Sequence, residues 1–197
     1  MPTAWPQPAT KRPMAASVRV LDSAIDYAHA ALHHARGCPS DVPTPCAGWD
    51  LAALLIHMED SLSAIGEAAL VGRVSVEERP GRLGTDGLVQ RVVQRACRTR
   101  SAWVERITSA PVDIGDLALD RETVVLLGAL EIAVHGWDVA QTIGRPQPLP
   151  DELARGLTGI AHAVVTPVDR GHRFGPVIEV PPTATAGTRL LAHLGRR

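Results

Sequence analysis

The chain lacks several features that would direct it to particular classes. It has three cysteines, Cys38, Cys46 and Cys97, an odd number with no CxxC spacing. A disulfide framework and a cysteine-rich zinc module are thereby excluded. Lys11 is the only lysine, and the formal net charge is -1. No basic surface recommends nucleic acid or an acidic membrane as partner. No apolar run approaches the roughly 20 residues that span a bilayer. The N-terminal MPTAWPQPATKRP has no apolar core of the signal-peptide kind. A reducing cytoplasm is the expected location. There is no internal repeat. No GxSxG elbow or strand-rich framework supports a Ser/His/Asp nucleophile.

What is present reads as a globular chain of 197 residues, 45% hydrophobic and 21% charged. Residues 1–16 contain Pro2, Pro6, Pro8 and Pro13 and are expected to form a flexible leader. Residues 17–197 are expected to form one domain, with a tail from about 166. In the first helix Val18, Leu21, Ile25, Ala28 and Leu32 share one face, and Gly37 ends it. After the proline-rich CPSDVPTPCAGW, Asp50 can cap a second helix from about 51 to 70. Residues 72–84 read as a loop. A third helix from about 86 to 108 places Leu88, Val92, Ala96 and Trp103 near one face. APVDIGD reads as another loop. A fourth helix from about 122 to 143 is closed by Gly144 and Pro146, and a fifth runs from about 150 to 165. Beyond it lie a β-like run at 177–180 and a last helical turn or two. The pattern is all-α, an antiparallel four-helix bundle with an extra helix and a short C-terminal extension.

The fourth helix carries ALEIAVHGWDVA, residues 129–140. At 100° per residue, with Glu131 at zero, His135 falls at about 40°, Asp138 at about -20° and Thr142 at about 20°. Ala129, Ala133, Gly136 and Ala140 make a small-residue seam on the opposite side, and Leu130, Ile132, Val134 and Val139 fill the flanks. A helix without a solvated face belongs in the interior. Glu131 and His135 then make either a buried hydrogen bond or part of a metal site. His57, in LLIHMED, lies on the shoulder of the second helix's apolar face. Alone it reads as a core histidine. With Glu131 and His135 it completes a two-His, one-carboxylate set that leaves a coordination position open.

Two segments carry a resemblance. TPCAGWDLAALLIHMED resembles the motif opening helix two in the mycothiol-dependent maleylpyruvate isomerase-like group of the DinB superfamily. There a Thr-Pro-Cys segment, a Trp and a capping residue precede a helix bearing a metal-binding His. LEIAVHGWDVAQTIGRP is similar to that group's second signature, Glu-x-x-x-His followed by Trp-Asp. RFGPVIEVPPTATAGTRLLAHLGR is similar to the C-terminal segment of its single-domain actinobacterial members. The likeness runs from about residue 17 to the end. It implies a DinB-like bundle holding a divalent ion, zinc above all, through His57, Glu131 and His135. It also implies mycothiol as co-substrate, with a metal-bound thiolate attacking a small electrophilic metabolite. S-transfer or cis–trans isomerisation would follow. Full-length isomerases carry an additional C-terminal domain that this chain lacks.

Alternatives stay open. A mixed N/O site also admits nickel, iron or copper. The enzyme could be a thiol-independent hydrolase, or a Lewis-acid cyclase or lyase of secondary metabolism. The chain could equally be a non-catalytic metal-binding protein, as monomer or homodimer. Asp138 either accepts the imidazole N–H behind the metal or pairs with an arginine. Cys46, before a helix N-terminus, reads as part of a structural turn rather than a nucleophile. Trp49 and Trp137 read as bundle packing. Asp22, Asp26, His29 and His33 lie within about 60° of one another and read as a solvated face. His162, His172 and His193 have no partner pattern. Arg170 and Arg173 either reach over the pocket toward an anionic substrate or belong to a solvated loop.

Overall fold

Helix ends in this chain are set by a few side chains. Asp50 takes an extended backbone and its Oδ1 accepts the Ala53 N–H at 2.8 Å, opening one helix. Asp120 does the same for another, accepting from Thr123 N–H at 2.9 Å. Such caps satisfy an orphan donor of the first turn. Gly72, at φ 70°, closes the helix that Asp50 opens.

A computed structural model describes residues 14–74, 83–105, 110–171 and 173–197. The helices are α1 (Met14–Ala35), α2 (Leu51–Val71), α3 (Thr85–Glu105), α4 (Arg121–Thr142), α5 (Asp151–Val164) and α6 (Ala186–His193). α1 begins three residues before the expected position, because Met14, Ala15 and Ala16 are good helix formers. The rest of the expected leader lies outside the described residues, as do 75–82 of the expected loop and 106–108 of the expected third helix.

The result is an all-α bundle. α1 packs against α4 and α3, and α2 packs against the same two helices from the other side. α5 and α6 pair with each other and join through α5 to α1 and α4. The small-residue seam of α4 does what its pattern implies. A Cβ at Gly136 would stand 2.7 Å from the Ala28 Cβ, so α1 can approach only because a glycine is there. By length and composition α4 could cross a membrane, contrary to the expectation that no run would be long enough. Most of its most apolar stretch is buried inside the protein.

Two expected loops are partly ordered into a small sheet. β1 (Arg73–Val74) pairs in parallel with β2 (Val112–Ile114), which pairs antiparallel with β3 (Leu117–Leu119). Strands of two or three residues are too short to show an alternating pattern. The expected β-like run at 177–180 forms no strand and joins no sheet. Pro176, Pro181 and Pro182 flank it and cannot donate to a ladder. Ile178 N–H instead donates to Ala192 O at 3.0 Å, tying the segment to α6.

Candidate metal centre

α2 and α4 bring His57, Glu131 and His135 together. Glu131 Oε2 lies 3.3 Å from His57 Nε2 and 3.2 Å from His135 Nε2. The two imidazoles meet edge to face, with ring centroids 4.8 Å apart. One ligand atom from each of the three residues lies within 4.8 Å of the others. His57 and Glu131 keep 36% of their side-chain surface exposed, whereas His135 keeps 10%. The cluster therefore opens to solvent on the His57 and Glu131 side and has His135 as its floor.

The other nitrogen of His135 faces inward. Its Nδ1 lies 2.9 Å from Asp138 Oδ2, on a carboxylate with no exposed surface. Arg196 clamps that carboxylate, with Nη2 to Oδ2 at 2.9 Å and Nε to Oδ1 at 3.0 Å. Asp138 thus contacts both the imidazole and an arginine. The Cys46 thiol donates to the same Oδ2 at 3.2 Å and stands 3.8 Å from His135 Nδ1. Cys46, His135 and Asp138 make a second group with metal-ligand proximity. A carboxylate accepting from Nδ1–H keeps a proton on that nitrogen and leaves Nε2 facing Glu131 and His57.

The charges follow. Burial opposes ionisation of Glu131, but hydrogen bonds from His135 and His57 outweigh it and hold the carboxyl below its usual range. Burial likewise opposes ionisation of Asp138, and hydrogen bonds from His135 and Arg196 keep it below its usual range. Burial opposes the imidazolium of His135, yet Asp138, Cys46 and Glu131 raise it well above an ordinary imidazole.

The Thr-Pro-Cys segment is the turn expected, and also more than that. Thr44 Oγ1 accepts from Cys46 N–H at 3.1 Å and donates to Trp49 O at 2.9 Å. That turn delivers the Cys46 thiol to the Asp138 carboxylate. It also sets Trp49 beside the cluster, 4.8 Å from the His57 ring and 6.0 Å from that of His135. Trp49 packs on the core as expected but walls the imidazoles too. Trp137 is simply buried.

Of the two alternatives for Arg170 and Arg173, the structure shows tail contacts and not a reach over the pocket. Arg170 donates to the carbonyls of Gly175 at 2.9 Å and His193 at 3.0 Å, fixing the tail rather than reaching a pocket. Arg173 pairs with Asp169 at 3.2 Å and lies beside Phe174. The arginine at the cluster is Arg196, which sequence reasoning missed. Its only signal was the Gly-Arg-Arg ending, and that carries no periodicity. Asp22 and Asp26 pair with Arg100 of α3. Among the described residues they form no metal-ligand group with His29 or His33. His162 and His193 stack at 4.0 Å, joining α5 to α6. His172 lies outside the described residues.

Fold and site together define an all-α helical-bundle protein with candidate metal-ligand groups in its α2–α4 region. No family model matches the chain. No solved structure matches it. It is similar to two uncharacterized proteins of Mycobacterium tuberculosis, from strains CDC 1551 / Oshkosh and H37Rv. Each is 28% identical over 164 residues, which span 78% of this chain and 83% of the relative.

Proposed function

We propose that the protein is a metal-dependent enzyme of the DinB superfamily, of the mycothiol-dependent isomerase or S-transferase type. It acts on a small electrophilic metabolite in a reducing cytoplasm. The observation that carries this reading is the convergence of His57 Nε2, Glu131 Oε2 and His135 Nε2 from two helices. The donor set fits a borderline ion, zinc first, with nickel or iron as alternatives. The competing group at Cys46, His135 and Asp138 fits less well. Asp138 there already holds the Arg196 guanidinium, and a second cation would have to displace it.

A divalent ion at His57, Glu131 and His135 supplies Lewis acidity and favours the deprotonated form of a thiol or water beside it. The chain's own groups do the rest. Asp138 fixes the His135 tautomer, and Arg196 keeps Asp138 ionised and in place. The Trp49 ring forms an apolar wall against which a flat electrophile can rest. The partly exposed His57 and Glu131 leave an approach from solvent for both reactants.

That same exposure admits water as readily as a thiol, which favours one alternative, a thiol-independent hydrolase, cyclase or lyase. Turnover of electrophilic acids with and without mycothiol separates the two. Metal analysis of untagged protein is the primary test. About one equivalent is expected in the wild type and almost none in His57→Ala. Full metal content in His57→Ala, or none in the wild type, overturns the reading.

A further inference from the structure

A cleft of about 190 Å³, partly open to solvent, lies between α1, α2, α3 and α4 and shares no residue with the metal cluster. Its walls are apolar: Ile25 and Leu32 from α1, Met58 and Leu62 from α2, Ala96 from α3 and Ile132 from α4. Met58 and Ile132 follow His57 and Glu131 directly, so each helix presents a ligand residue on one face and a cleft residue about 100° around. The cleft leaves these apolar side chains facing solvent-accessible space rather than one another. The space exists because Ala28 and Ala96 stand where larger side chains would fill it. Ala28 must stay small to meet Gly136. The whole chain has one Phe and one Tyr, and neither lines the cleft.

The polar groups of the cleft are Asp26, His29, Cys97 and Arg100. Arg100 is already committed to Asp22 and Asp26 across the α1–α3 gap. The Asp22, Asp26 and Arg100 cluster is thus net negative and offers no free positive charge to an anion. An enclosed apolar protein cavity of about 150 Å³ takes up benzene, and the apolar part of this partly open cleft offers comparable space. From these observations we propose that this cleft binds a small uncharged apolar ring compound of benzene to toluene size. The inference stands independently of the metal reading.

The test uses the full chain with benzene, toluene and benzoate as probes, read by methyl NMR and thermal shift. Benzene and toluene are expected to move the methyl resonances of Met58, Ile25 and Ile132 and to raise the Tm saturably, while benzoate does neither. Ala96→Leu, which fills the space, should weaken toluene at least tenfold. Val93→Phe, at the cleft lining, should do the same and serves as a second filling variant if Ala96→Leu is poorly folded. His57→Ala should leave toluene binding intact, which separates this site from the metal cluster. Absence of a saturable response to benzene and toluene overturns the proposal. So does unchanged binding in a folded filling variant, or benzoate binding as well as toluene.

Discussion

The two nitrogens of His135 sit in opposite surroundings. On the Nδ1 side, Asp138 has no exposed surface and its charge is matched by the bidentate Arg196. That half is closed and electrically complete. On the Nε2 side, Glu131 is flanked by two imidazoles and partly open to solvent, and among the described residues its ion-pair partners include no Lys or Arg. Among those residues the carboxylate is balanced by a proton on a histidine, or by a bound cation. The difference teaches which half holds structure and which half is arranged for exchange with solvent. A buried, paired charge fixes geometry. A half-exposed carboxylate between two nitrogens is suited to a ligand that comes and goes.

The sharpest way to break that comparison is to remove the open side. Glu131→Gln should abolish stoichiometric metal binding by elemental analysis while leaving the helical circular dichroism unchanged. Next comes the closed side. Arg196→Ala leaves Asp138 buried without its cation, and urea denaturation should show a loss on the order of 3–5 kcal/mol. Asp138→Asn removes the carboxylate charge that fixes the His135 tautomer and replaces one acceptor oxygen with a donor. Titration calorimetry should then show metal affinity about 10–100-fold weaker.

Proton competition comes third. His135 in the metal-free protein is raised above its ordinary value by Asp138, Cys46 and Glu131, so it holds its second proton to higher pH than a free imidazole does. A metal at Nε2 must displace that proton, so affinity should rise with pH by up to about tenfold per unit. Stability of the metal-free form follows from the same groups. The raised His135 contributes below about pH 6.5, and that contribution is lost as pH rises through its folded value. The lowered Glu131 and Asp138 contribute above about pH 4, and that is lost as pH falls toward their folded values. Urea midpoints of the metal-free form should therefore peak between about pH 4.5 and 6.5, and metal should move the optimum upward. The smallest expected effect is at the thiol. Cys46→Ser should change metal affinity less than Asp138→Asn does, because Nδ1 keeps its carboxylate. An equal or larger effect would move the site to the Cys46 side.

Much of this was legible in the chain. The stripe of Glu131, His135 and Asp138 is a property of helical spacing, and the Asp50 cap is written in the residues around it. His57 was readable as a partner only by placing two helices against each other. The Cys46 thiol was read as part of a turn, because a local segment shows its own hydrogen bonds and not what its side chain will touch 92 residues away. For Arg170 and Arg173 the residues alone leave a pocket role and a solvated loop both open. In the fold Arg170 spends its guanidinium on tail carbonyls and Arg173 stays with Asp169.

The sequence by itself determined that α4 is a core helix bearing three polar groups on one line, since a period of 3.6 needs no knowledge of neighbours. It also marked the small-residue seam through Gly136, though the fold decided that α1 is the helix packed there. Only the tertiary structure decided which nitrogen of His135 is open. That choice rests on Arg196, 58 residues from Asp138, and on His57, 74 residues from Glu131. Contacts of that range have no local period, so they exist only once the bundle closes and the tail lies back across α4.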